Sequence, residues 1–133
     1  MIDYENEVLT AVTTDLSSSF PACTFMGTQQ YYPATFPCVT GEEADHYAYI
    51  PSQDTSSNYN AANVMYEFNV YSNKKAGKKS EARAIAAVII NTMTGLGFNL
   101  TLCRPTNESN GTIYRIVLRF TAVIDKNGKI YRR

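Results

Sequence analysis

Apolar residues along the first stretch recur with helical spacing: Val8, Leu9, Val12 and Leu16 fall on one stripe. The pattern predicts an amphipathic helix over Asp3–Ser18, with Asp3, Glu5 and Glu7 in its first turns where the helix dipole favours acids. Short strands are expected at 22–28 and 36–40, broken by Pro33 and Pro37. Residues 41–63 are polar and rich in Ser, Asn and Thr, and read as a long surface loop that holds at most a short strand at 46–50. The second half alternates more cleanly. Val64, Tyr66, Phe68 and Val70 take every second position over 64–71, a strand signal. Ala82, Ile85, Ala86, Ile89 and Met93 then take helical spacing, with Ser80 as the expected N-cap and Gly95 and Gly97 as stop signals.

A strand follows at 98–104, and Pro105–Gly111 reads as a turn-rich connection. Thr112–Ile124 is a long strand with Tyr114, Ile116, Leu118, Phe120, Ala122 and Ile124 on one face and Arg115 and Arg119 on the other. Asp125-Lys126-Asn127-Gly128 is a hairpin turn, after which Lys129–Tyr131 returns as a strand. Two helical stripes and several half-apolar strands are buried most economically in an α+β fold. The expected architecture is an antiparallel or mixed sheet with two helices on one face, a long loop at 41–63 and a C-terminal β-hairpin. At 133 residues, the chain is expected to form a single domain over 1–133.

Charge alters this picture more than composition does. Formal net charge is zero, yet residues 1–73 hold nine acids and no Lys or Arg, while residues 74–133 hold all twelve Lys and Arg and three acids. Either the two halves interleave and neutralise each other inside one subunit, or faces of opposite sign meet between subunits. Only 18% of residues are charged, against ten Tyr and six Phe, a balance that suits a subunit of an assembly. No apolar run reaches the roughly 18 residues that span a bilayer. The start MIDYENEV lacks the basic and apolar regions of a signal peptide, so neither a membrane anchor nor export is expected.

Candidate chemistry is sparse. Cys23, Cys38 and Cys103 are odd in number, far apart and without a C-x-x-C pair, and His46 is the only histidine. Such a set matches neither a disulfide framework nor a zinc cage, and reduced, buried or half-buried thiols are expected. Cys38, Asp45 and His46 can be written as a nucleophile, acid and base, but the spacing fits no hydrolase pattern. Glu42, Glu43 and Asp45 lack the alternating order of a calcium loop, so no metal or cofactor is expected. Lys74, Lys75, Lys78, Lys79 and Arg83 precede and open the second helix; they lack the glycine spacing of a phosphate-binding loop, although they could touch nucleic-acid phosphates.

The second half as a unit, from MYEFNVYSN through KSEARAIAAVIINTMTGLGFNLT to YRIVLRFTAVIDKNGKIYRR, resembles the tail terminator (tail completion) proteins of long-tailed bacteriophages. The closest pieces are Gly95-Leu96-Gly97-Phe98 and the closing turn and strand with Asp125, Gly128 and Ile130-Tyr131-Arg132-Arg133. The resemblance implies a non-enzymatic α+β subunit that forms a ring, typically a hexamer, on the head-proximal end of the tail tube. Such a ring ends tube polymerisation and joins tail to head, with tube protein and a head-side neck or connector protein as partners. DNA would pass through its lumen without sequence-specific binding, and assembly would take place in the host bacterial cytoplasm. The basic set Lys74, Lys75, Lys78, Lys79 and Arg83 and the acidic set Glu42, Glu43 and Asp45 are then the expected subunit or partner contacts. Rival readings are another neck protein, such as a head-completion or connector subunit; a small nucleic-acid-binding module; and a small hydrolase at Cys38 and His46.

Overall fold

A computed structural model describes residues 3–21, 23–26, 37–48, 61–73, 77–107 and 113–131. The elements are α1 (Glu5–Ser19), β1 (Thr24–Met26), β2 (Cys38–Ala48), β3 (Ala61–Ser72), α2 (Lys78–Leu96), β4 (Asn99–Asn107), β5 (Tyr114–Asp125) and β6 (Ile130–Tyr131). The expected α+β architecture is present. Six strands form one mixed sheet in the order β1-β2-β3-β5-β4, with β6 paired to β5; β1 joins β2 in parallel and every other pair is antiparallel. The β3–α2–β4 unit leaves a one-strand gap, which β5 fills.

Alternation along the strands decides which side the helices cover. Val64, Tyr66, Phe68 and Val70 of β3 stand in register with Ala122, Phe120, Leu118 and Ile116 of β5, and all eight are buried. Against that face α2 buries Ala82, Ile85, Ala86, Ile89 and Met93, the five positions expected from the periodicity. α1 adds Val8, Val12 and Leu16, packing beside α2 and over β2. Two edge-to-face aromatic pairs lock the layer: Tyr66 with Phe98 at 5.4 Å between centroids, and Phe68 with Phe120 at 5.9 Å. A smaller cluster of Cys38, Tyr71 and Ile113 lies apart from this core.

Three local expectations are corrected. Residues 41–48 and 61–63 belong to strands rather than to a long loop, so Glu42, Glu43 and Asp45 ride on β2; only 49–60 of the expected loop falls outside the described residues. Acids and Gly41 depress strand propensity, but pairing with β3 on both sides of a bulge at Glu43/Asp45 overrides that local bias. α2 begins at Lys78 with Gly77, at φ +86°, as its N-cap, so Ser80 lies inside the helix. β4 continues through Pro105 to Asn107, because an edge strand tolerates a residue without an N–H. The expected stop of α2 holds. Gly97 sits at φ +108°, its N–H donates to the Thr94 carbonyl and that of Phe98 to the Met93 carbonyl, the paired bonds of a Schellman motif.

Candidate assembly surface

Strand order converts the sequence's charge split into a spatial one. α1 with its leading residues, β1 and β2 form one flank of the sheet; they carry Asp3, Glu5, Glu7, Asp15, Glu42, Glu43 and Asp45 and no Lys or Arg. On the opposite flank α2, β4, β5, β6 and their described turns carry Lys78, Lys79, Arg83, Arg104, Arg115, Arg119, Lys126 and Lys129, against Glu81 and Asp125. β3, with Glu67, runs between them. Local sequence patterning shows the split, but only the topology shows that it runs across the sheet.

Among the described residues the flanks form few ion pairs with each other. Among the described residues one Lys or Arg lies within salt-bridge distance of an acid: Arg119 Nε donates to Glu67 Oε1 at 2.9 Å. It is half exposed and contributes at most about 1 kcal/mol. Arg115 instead grips Asn69, donating from Nε and Nη2 to Oδ1 at 2.9 and 2.6 Å while lying over the Tyr71 ring. Lys79 Nζ sits over the Tyr114 ring, 5.9 Å from its centroid.

The acidic set does not act as one patch. Register places Glu43 on the helix-covered face with Tyr66 and Glu42 on the opposite face with Glu67, and a bulge separates Glu43 from Asp45. The Glu43 backbone N–H donates to Glu5 Oε2 at 2.8 Å, tying α1 to β2, and the Glu43 carboxylate contacts His46 Nδ1 at 2.6 Å. Of the basic set, Lys79 and Arg83 are exposed on the first turns of α2 and Lys78 opens that helix, whereas Lys74 and Lys75 lie outside the described residues. Lys79 follows the Ser72 end of β3, and the acids pair with β3 at Glu67, Tyr66 and Met65. At about 3.4 Å per residue the Ser72 end of β3 stands roughly 17 to 24 Å along the sheet from the positions that pair with the acids. Among the described residues no ion pair joins the two sets. Pattern reading missed Arg104 and Arg119 as members of the basic flank, because their membership depends on which strands become neighbours.

The hydrolase arrangement comes apart in the fold. Cys38 pairs with Tyr71 on the face away from the helices, and His46 pairs with Val64 on the helix-covered face, roughly 25 Å further along β2. Burial pushes the Cys38 thiol up from its ordinary value and the Cys23 thiol up to about 11, with Cys38 and Glu81 adding to the Cys23 shift. Both thiols are held protonated, the opposite of an activated nucleophile. Cys103, expected to be at least half buried, is exposed on β4. Among the described residues no three His, Cys, Asp or Glu side chains are grouped to hold a metal ion, and no helix is long and apolar enough to cross a membrane.

No family model matches the chain, and no curated protein matches it. Its fold, however, occurs in solved structures. A chain of the virion of a native gene transfer agent particle aligns over 94% of this chain and 90% of its own, at 14% identity and a TM-score of 0.56. The bacteriophage SPP1 gp17 protein aligns over 87% of this chain and 88% of its own, at 20% identity and a TM-score of 0.43.

Proposed function

We propose that the chain is a virion structural protein, without enzymatic activity, that forms a ring at the head-proximal end of a phage tail tube. The ring, a hexamer in this reading, ends tube polymerisation and joins the tail to the head. The observation that carries the proposal is the fold, which extends over nine tenths of both this chain and a chain of the virion of a gene transfer agent particle. The separated thiol and imidazole and the laterally divided charge accord with an assembly role. Lys74, Lys75, Lys78, Lys79 and Arg83 on one side, and Glu42, Glu43 and Asp45 on the other, are the contacts to neighbouring subunits, tube protein or head-side neck protein. DNA passes through the lumen without being read.

Removing the chain from a particle-producing cell tests this reading. The expected result is tails of widely spread length that carry no heads, alongside filled heads without tails. Tails of normal length joined to heads would overturn it, and normal tails beside unjoined heads would point to the rival neck role.

A further inference from the structure

Among the described residues, β4, and β2 beyond its short pairing with β1, form the edges of the sheet, and both carry features that discourage strand addition. On the acidic flank β2 is bulged at Glu43/Asp45, its Glu43 N–H is already occupied by the Glu5 carboxylate, and Glu42 and Asp45 project from it. On the basic flank β4 is bulged between Leu100 and Leu102, contains Pro105 and exposes Arg104. Charged, bulged and proline-bearing edges resist backbone pairing with another chain, so copies meeting here do so through side chains. The basic edge also offers a seat. Between α2 and β4 runs a groove of about 260 Å³ lined by Ala86, Ile90, Cys103, Pro105 and Tyr114, with Arg83 on its wall. Lys79 and Arg83 are exposed on its α2 side, while Arg104, in register with Val117, is exposed on the opposite face of the same β4 edge.

We propose that this groove and the cationic edge that bears it receive the acidic α1–β2 flank of a second copy of this chain. The occupant is chosen by charge: the described part of the acidic flank bears acids and no Lys or Arg, and exposes Asp3, Glu7 and Asp45. Because donor and acceptor flanks lie on opposite sides of one subunit, the contact is head-to-tail and propagates in one rotational sense. A two-fold contact would instead set like charges together. The proposal deepens the ring reading and takes its biological setting from it.

A flank-swap experiment on the full chain tests it. One variant reverses the acidic flank (Glu7→Lys, Glu42→Lys, Asp45→Lys), a second reverses the basic flank (Lys79→Glu, Arg83→Glu, Arg104→Glu), and a third combines all six. Self-association is read by sedimentation, with circular dichroism as the check on folding. Each single-flank variant should self-associate at least about tenfold more weakly than the natural chain, since several contacts turn from attractive to repulsive. An equimolar mixture of the two should co-assemble in alternation, and the six-substitution chain should recover self-association. Should a reversal disturb folding, the neutral set Glu7→Gln, Glu42→Gln, Asp45→Asn should still weaken association. Single-flank variants that associate like the natural chain would overturn the proposal. So would a mixture that stays apart, including the case in which the natural chain remains monomeric at millimolar concentration. A failed swap with copies still ringing tail ends refutes the flank assignment alone; a successful swap with no copies at tail ends refutes the particle reading alone.

Discussion

The two flanks of the molecule are built from the same parts, a helix laid over strands, and are held in place differently. α2 sits over the centre of the sheet, buries five side chains against β3 and β5, and ends in a Schellman motif at Gly97. α1 sits at the side, buries three, has no side-chain N-cap, and is tied down by Glu5 to β2 and by Asp15 to the Thr92 hydroxyl of α2. The basic flank is therefore an extension of the core, whereas the acidic flank is an attachment to it. In an assembly built by apposing the two, the attached flank is the one that can adjust to its neighbour.

Core truncation gives the largest test of this contrast. Ile89→Ala should cost about 2–5 kcal/mol of unfolding free energy, in the upper part of that range, because α2 is enclosed by sheet and α1 and a cavity there cannot collapse. Leu16→Ala, in the last turn of α1, should fall at the low end, since that turn can relax inward. Urea denaturation of the two variants makes the comparison, and equal costs would contradict it.

Next in size is Gly41, where β2 crosses the covered face beneath the acidic flank. A Cβ built there would stand 2.6 Å from two ring carbons of Phe68 and 3.1 Å from Phe25. Phe68 is fully buried and packed edge-on against Phe120, so it has little room to retreat. Gly41→Ala should destabilise the fold by about 1–3 kcal/mol, measured by thermal or urea denaturation, through overpacking rather than backbone strain. Replacement without cost would show that β2 is as loosely attached as α1.

Tyr66 provides the smallest effect at neutral pH and the most specific one at high pH. Its hydroxyl is buried beside the acidic flank with no hydrogen-bond partner among the described residues. Burial, and then the charges of Glu43, Glu5, Asp3 and Glu7, push its ionisation well above the usual 10. Tyr66→Phe should thus be neutral or slightly stabilising at pH 7, since no internal hydrogen bond is lost. Below pH 10 the folded and unfolded chains both keep the proton, and the stabilisation of the neutral phenol is fully present. Above pH 10 the unfolded chain releases it while the folded chain retains it, so stability falls as pH rises, by up to about 1.4 kcal/mol per pH unit. That component should vanish in Tyr66→Phe, as read by urea titrations between pH 9 and pH 11.

These contrasts also explain which parts of the molecule pattern alone could reveal. The face of β3 formed by Val64, Tyr66, Phe68 and Val70, the five buried positions of α2, and the stop at Gly97 were legible because period and burial agree there. β2 was not. Its sequence, from Gly41 through Glu42, Glu43 and Asp45, is polar on both faces, and only its register with β3 makes it a strand. Pro105 hid the end of β4 for a similar reason, because its edge position is a property of the sheet rather than of the local sequence. For the assembly surface, the division of charge along the chain was visible, but the neighbours of each strand were not. Glu42 and Glu43 look like one cluster in the sequence and stand on opposite faces of the sheet; Arg83 and Arg104, twenty-one positions apart in sequence, share one flank.

A reconstruction of the particle at side-chain detail, centred on the head–tail junction, tests the central claim most directly. The account predicts a closed ring of copies of this chain at the end of the tail tube, each placing its α1–β2 flank against the α2–β4 groove of the next, with Asp45 and Glu7 facing Arg83 and Arg104 across every contact. A junction that lacks the chain, or copies related by two-fold axes with like flanks together, would contradict it.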